Sequence, residues 1–388
     1  MKAFVIAGEP SGDRLGGAMM EGLHDLAPGI SFQGIGGPQM QAQGLTSLFP
    51  MDELSVMGLA EILPKYFHLK RLIRETAEAV IAARPDVLIT IDSPDFCLRV
   101  VRLVKAQMAV RSVHYVAPTV WAWRPGRAAK MAEVVDQVLA LFPFEPPLMT
   151  RAGMECDFVG HPVVAEPVAK PGEIADLRNR YGLGSRSCLL VLPGSRRSEV
   201  GRLSDVFGAA VARFGARHPD MPVIVPAAAP VAGMVQEAVA AWPVETVVLD
   251  PRDVAPEVMA AHKRAAFATA DLALAASGTV SLELAAAQTP MVIAYRMNRL
   301  THDIISRMAL IDTVTLVNLV SDTRVVPEFL GPACTPEEIA DGLSAVLADP
   351  QAQTDAMALT MERLGQGGER PGLRAARAVL DGLDRARP

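Results

Sequence analysis

Apolar and polar positions along this chain follow two alternating periods. Short β-branched or apolar runs, "AFVIA", "SFQGIGG", "DVLITID", "SVHYVAP", "QVLALF" and "CDFVGHP", are separated by longer stretches with helical spacing. Near-continuous apolar runs read as strands buried on both faces, and their alternation with helices predicts a parallel sheet covered on both sides. After a segment punctuated by Pro162, Pro167 and Pro171 the alternation resumes with "CLLVLPG", "PVIVPA", "TVVLD", "DLALAASG" and "MVIAYR". The expected fold class is α/β, two doubly wound Rossmann-like domains in tandem. Residues 1–165 form the first and 166–356 the second, with 357–388 as a C-terminal tail of one more helix. Such sheets bind ligands beyond the C-terminal ends of their strands, so the site is expected on either side of a cleft between the domains.

Composition narrows this. At 388 residues the chain exceeds one ordinary hydrophobic core, and half of it is apolar, which excludes a disordered protein. The formal net charge of -6 excludes a general nucleic-acid binder, so any cationic patch must be local. Cys97, Cys156, Cys188 and Cys334 are scattered without a C-x-x-C pair or a nearby His, which suggests neither a disulfide framework nor a zinc site. The opening "MKAFVIAGEP" breaks at Gly8-Glu9, too soon for the core of a signal peptide. No stretch approaches the about 18 uninterrupted apolar residues of a membrane span. The expectation is a protein that is soluble or rests on a membrane.

Candidate chemistry gathers at strand ends. "AGEPSGDRLGG" after the first strand has glycines spaced for a tight turn but lacks the dinucleotide fingerprint, and Glu9 would repel a pyrophosphate. It reads as a loop for hydroxyl groups; a structural turn with Glu9 in solvent fits equally. "PDVLITIDSPDF" ends a buried strand with Asp92, placed as a general base, and Asp95, placed as a helix cap. "VHYVAPTVWAWRPGRAAKM" sets Trp121 and Trp123 beside Arg124, Arg127 and Lys130, an apolar wall with an anion contact, while His114 reads as a hydrogen-bonded core residue.

"CLLVLPGSRRSEV" turns from a strand through Gly194 and Ser195 into a helix preceded by Arg196 and Arg197, a place that favours an anion. "DLALAASGTVSLELA" repeats the arrangement with Ser277, Gly278 and Thr279, then Glu283, which is placed to accept ribose hydroxyls. Two such loops at adjacent strand ends describe a nucleotide diphosphate site better than either alone. One element stands apart: "MGLAEILPKYFHLKRLIRETAEAV" surrounds Met57 and Phe67 with apolar residues and a cationic fringe. That pattern suits an anionic lipid surface or an acyl pocket, or a helix-helix contact.

The chain resembles the lipid-A-disaccharide synthases, inverting glycosyltransferases that join two acylated glucosamines in Gram-negative bacteria. The resemblance runs nearly end to end through "AGEPSGDRLGG", "GIGGPQM", "MGLAEILP", "IDSPDF", "HYVAPTVWAWRPGR", "FPFEP", "FVGHP", "LPGSRRSEV", "ASGTVSLELA" and "YRMNRLT". It implies a GT-B architecture, with an acceptor- and lipid-binding first domain and a UDP-binding second one. It also implies UDP-2,3-diacylglucosamine as donor, 2,3-diacylglucosamine 1-phosphate as acceptor, and no metal or other cofactor. Asp92 falls on the family's catalytic aspartate and Glu9 on its leading glutamate near the sugars. Arg196, with Gly194 and Ser195, falls on the G-S-R turn, and Ser277, Gly278, Thr279 and Glu283 fall on the serine-glycine loop. Asn318 falls on an asparagine of the donor site. Met57, Phe67, Arg124 and Arg127 are candidates for lipid and acceptor contact. The resemblance further implies a cytoplasmic enzyme held peripherally at the inner membrane; a homo-oligomer stays open.

Overall fold

The structure, a computed structural model, describes residues 1–54, 59–297 and 307–386. It divides into two compact units, Met1–Ala165 with Leu364–Pro388, and Glu166–Arg363.

In the first unit the strands are β1 (Lys2–Ala7), β2 (Ser31–Ile35), β3 (Val87–Ile91), β4 (Arg111–Tyr115), β5 (Gln137–Ala140) and β6 (Glu155–Phe158). They form a parallel sheet in the order β2-β1-β3-β4-β5-β6. The five residues of β3 are all buried, as a central strand with helices on both faces requires. Order reverses between β1 and β3: the chain runs outward from β1 to β2, then returns to the other side. The helical connections that follow those two strands therefore cover opposite faces of the sheet, which leaves a crevice at the strand ends where doubly wound sheets bind ligands.

The second unit repeats the plan. Its strands β7 (Leu189–Leu192), β8 (Val223–Pro226), β9 (Thr246–Leu249), β10 (Leu272–Ala276), β11 (Met291–Tyr295) and β12 (Glu328–Leu330) lie in the order β12-β11-β10-β7-β8-β9, all parallel. Here the reversal lies between β7 and β10. Eleven of the twelve strands coincide with the apolar runs of the sequence. The exception is β12, whose three residues begin with Glu328 at the sheet edge and carry no period to detect.

The tail differs from the single helix expected from residue 357. Helix Gln351–Arg363 belongs to the second unit and helix Pro371–Ala386 to the first. Gly365 (φ 101°) and Gly367 (φ 79°) occupy a left-handed conformation that ends the first helix, and Pro371 opens the next. The last helix packs along helix Pro10–Leu26 through glycines. A Cβ on Gly372 would stand 2.5 Å from the Ala18 carbonyl oxygen, and one on Gly22 would stand 2.9 Å from Leu373 Cα. It is fastened to the sheet where the buried Gln137 amide donates to the Ala378 carbonyl at 2.8 Å and Arg374 donates to the Phe158 carbonyl at 2.7 Å.

Candidate functional site

Both reversals carry the residues singled out in the sequence. In the first unit, Ala7 of β1 is paired with Ile91 of β3, so the Gly8-Glu9 and Asp92-Ser93 loops leave the sheet side by side. They touch: a Cβ on Gly8 would stand 2.7 Å from the Ser93 hydroxyl, so only glycine lets the loops come this close. Asp92 (φ 52°) and Ser93 (φ 43°) are consecutive residues in the left-handed region, a costly arrangement held by the Asp92 N–H donating to the Tyr115 carbonyl at 3.0 Å. The half-buried Asp92 carboxylate has no hydrogen-bond or ion-pair partner among the described residues. Its charge reaches the buried Cys97 thiol, whose pKa is pushed up first by burial and then by Asp92.

Glu9 caps helix Pro10–Leu26 with its backbone carbonyl, which accepts from the Asp13 N–H at 2.9 Å. The buried carboxylate in this motif is Asp13. It accepts from the backbone N–H groups of Gly37 (2.8 Å), Gln39 (2.9 Å) and Met40 (3.0 Å), locking the "GIGGPQM" turn against the first helix. Sequence reading passed over Asp13, although an acid facing a glycine-rich turn was the available signal.

The tryptophan window splits in two. Trp121 is structural: its Nε1 donates to the Glu145 carboxylate at 3.2 Å, and its ring meets Phe142 and Phe144 edge-on. Trp123 is 37% exposed and carries the Arg124 guanidinium 4.3 Å above its ring, with that of Arg127 at 5.8 Å. His114 is buried and hydrogen-bonded to Thr90 at 2.7 Å, and burial lowers its pKa to about 4, so it is neutral at physiological pH.

Glu145 is a second acid the sequence reading missed. It is 2% exposed, and burial pushes its pKa up to about 7 against the pull of hydrogen bonds from the Phe142 N–H, Trp121 Nε1 and the Leu141 N–H. An unfolded chain ionises this group first, from its ordinary value of 4.5, so the folded state holds the extra proton between there and about 7 and stability falls as pH rises through that window. Wild type is therefore expected to lose about 3 kcal/mol relative to Glu145→Gln between pH 4.5 and 7. Above pH 7 the difference stays flat. Urea unfolding midpoints of both proteins across about pH 4 to 8 measure it.

In the second unit, Leu192 of β7 faces Ala275 of β10, so the two predicted anion loops are neighbours at the reversal. After β10, Gly278 adopts φ 153° and a Cβ there would meet nothing within 4 Å, leaving the backbone open to a ligand. Glu283, one turn into helix Val280–Ala286, is paired with Lys263 at 2.5 Å. After β7 the turn ahead of helix Arg197–Gly215 is partly taken up by an acid of that helix. The Glu199 carboxylate turns back and accepts from the Ser195 N–H at 3.1 Å and the Arg196 N–H at 3.3 Å. Gly194 (φ 114°) is required because a Cβ would stand 2.6 Å from Glu199. Besides the first N–H groups of the helix, this loop offers an anion the Arg196 guanidinium, 63% exposed and 3.6 Å from Glu199. A glutamate three residues after the cap was the signal for this closure.

Asn318 lies inside the fold. Its Nδ2 donates to Thr313 Oγ1 (3.2 Å) and the Val326 carbonyl (3.0 Å), and its Oδ1 accepts from the Val326 N–H (3.0 Å). These bonds tie the chain ahead of helix Leu316–Ser321 to the approach of β12. Met57 lies outside the described residues. Phe67, on helix Leu59–Ala83, is 82% exposed, and the fringe next to it is partly neutralised: His68 meets Glu53 at 2.6 Å and Arg71 lies 3.6 Å from Glu75.

Comparison with other proteins decides the family. The family model described as Lipid-A-disaccharide synthetase matches residues 3–379. The chain is 68% identical over 383 residues to the lipid-A-disaccharide synthase of Ruegeria pomeroyi, covering 99% of this chain and 96% of that one. The chain belongs to the lipid-A-disaccharide synthase family. It is a glycosyltransferase of lipid A biosynthesis.

The fold is the GT-B arrangement of two Rossmann-like domains. The structure resembles the calicheamicin glycosyltransferase CalG4 at a TM-score of 0.60 and 16% identity, covering 100% of this chain and 99% of that one. It equally resembles a UDP-GlcNAc 2-epimerase from Neisseria meningitidis, at a TM-score of 0.62 and 10% identity over 99% and 100% of the two chains. Fold alone thus does not separate transferase from epimerase; membership of the lipid-A-disaccharide synthases does.

Proposed function

We propose that the chain transfers 2,3-diacylglucosamine from its UDP donor to the 6-hydroxyl of 2,3-diacylglucosamine 1-phosphate. The products are UDP and a β-1',6-linked tetraacyl disaccharide 1-phosphate. The observation that carries this reading is the 68% identity to the Ruegeria pomeroyi synthase across 99% of the chain. The residues at the two chain reversals supply the roles.

In this reading Asp92 takes the proton from the acceptor hydroxyl as its oxygen attacks the anomeric carbon, which inverts the configuration there. The bond from that carbon to the UDP oxygen breaks, and the leaving diphosphate gathers charge. Arg196 and the backbone of Ser277, Gly278 and Thr279 stabilise that charge without a metal ion. Glu283 accepts ribose hydroxyls, sharing its charge with Lys263, and Glu199 and Asn318 keep their loops in shape. Glu9 acts near the sugars beside Asp92. Because both substrates carry acyl chains, the enzyme works peripherally at the cytoplasmic face of the inner membrane, with Met57 and Phe67 on the lipid side. No helix among the described residues is long and apolar enough to cross a membrane.

Mass spectrometry tests the reading. The purified protein, mixed with both substrates in mild detergent without added metal, is expected to yield the tetraacyl disaccharide monophosphate and UDP. Intact donor would overturn it, and a metal-dependent yield would overturn the metal-free part.

A further inference from the structure

Within the first unit, just beyond Asp92, lies a cleft of about 530 Å³ that the roles above leave unused. Its walls are the start of helix Pro94–Lys105, with Pro94, Asp95 and Leu98, and the start of helix Gly126–Ala132, with Arg127, Lys130 and Met131; Pro118 and Arg124 complete them. Its size falls in the range of small-molecule sites, roughly 300–1,000 Å³.

Charge sets this cleft apart. The chain as a whole is acidic, yet three cations line this one cavity against a single carboxylate, Asp95. Among the described residues none of Arg124, Arg127 and Lys130 is paired with an acid. Several arginines elsewhere sit in ion pairs, as Arg186 does with Glu245 at 2.6 Å and Arg111 with Glu155 at 2.7 Å. Two of these cations, Arg124 and Arg127, are also held in place. Arg124 has φ 52°, its carbonyl accepts from the Arg127 N–H at 3.0 Å, and Trp123 lies under both guanidiniums. The cleft therefore carries a net +2, which matches the roughly -1.5 to -2 of a phosphate monoester. Leu98, Pro118 and Met131 give it an apolar floor.

We propose that this cleft binds the phosphate monoester of the acceptor sugar, so that Arg124, Arg127 and Lys130 hold one end of the ring while the hydroxyl at the other end meets Asp92. The inference deepens the transferase reading and rests on it. Asp92 and the cleft residues Pro94 and Asp95 belong to one turn of chain, so a single sugar can address both. Phosphate at this position then selects acceptor over donor, because the donor's anion is a diphosphate diester linked to a nucleoside.

The test compares wild type with the Arg127→Gln/Lys130→Gln double variant. Arg124 is left in place because its backbone conformation would confound a substitution. Binding of 2,3-diacylglucosamine 1-phosphate and of its dephosphorylated form is measured by calorimetry in detergent, and turnover with both is followed alongside. Losing two charge-assisted contacts is expected to weaken binding of the phosphorylated acceptor at least about tenfold. The two proteins should bind the dephosphorylated form alike, and the KM for donor should stay unchanged. An Arg127→Lys variant should recover part of the loss. Equal penalties on both acceptors, or a raised donor KM, would overturn the proposal. So would a variant that keeps its acceptor affinity but no longer binds phosphatidylglycerol vesicles, since the phosphate recognised would then be a membrane headgroup. If wild type binds the phosphorylated acceptor selectively but forms no disaccharide, the transferase reading fails while the cleft assignment stands.

Discussion

Replacing Asp92 by Asn is expected to slow turnover about 10²–10⁴-fold, the contribution of a positioned general base, while leaving UDP affinity unchanged. Asparagine keeps the shape of the side chain but cannot take a proton from the acceptor hydroxyl. It is also the substitution the backbone tolerates. Asp92 and Ser93 sit at φ 52° and 43°, and Asn is among the few residues other than Gly that adopt this region readily. An alanine here would add backbone strain to the loss of the carboxylate. UDP release under saturating substrates gives the rate, and calorimetry with UDP gives the affinity. A variant with near-normal turnover would remove Asp92 from the role of base, and a parallel loss of UDP affinity would show that the change had spread beyond the acceptor side.

The largest effect on folding is expected at Gly34. It lies in β2 at φ 143°, and a Cβ on it would stand 1.8 Å from the Val5 carbonyl oxygen and 2.7 Å from the Val5 carbonyl carbon. Both are backbone atoms of the adjoining strand β1, so no rotamer change relieves the clash. Gly34→Ala must push β2 from β1 and force a conformation that essentially only glycine adopts, at a cost on the order of 4 kcal/mol. The neighbouring Gly44→Ala provides the contrast. Gly44 also has a positive φ, 88°, but nothing lies within 4 Å of its Cβ, so it carries the backbone cost alone. Thermal unfolding of both variants measures the difference, and equal melting points would mean that the contact at Val5 gives way easily.

These cases show what the sequence could and could not convey. Apolar runs announced strands because burial on both faces requires them, and strand ends announced the candidate site because the fold leaves its crevices there. The place of Asp92 at the end of β3 was legible for that reason. The Glu199 turn was only half legible: glycine, serine and arginine next to a strand look alike whether the N–H groups await a ligand or are already taken by an acid three residues later. The structural bonds of Asn318 to Thr313 and Val326 were not legible, since a buried amide in "TLVNLV" has no period or partner that spacing alone would indicate, and the resemblance pointed only to the donor site. Gly34 lay within a recognised motif, but the reason for it, a carbonyl from another strand, exists only in three dimensions. The same holds for the cleft beside Asp92, whose cations come from one stretch of chain and whose far wall comes from another.

The return of the chain to its first unit bears on synthesis. Residues 166 through 363, 198 in all, are made before the helix Pro371–Ala386 that closes the sheet of β1 to β6. At roughly 5–20 residues per second that interval lasts about 10–40 s. Throughout it, Gln137 lacks the Ala378 carbonyl and the glycine face of helix Pro10–Leu26 is bare. The part of the protein translated first is thus completed last, and a nascent chain carries an unfinished Asp92 half beside a second half that already has all its residues.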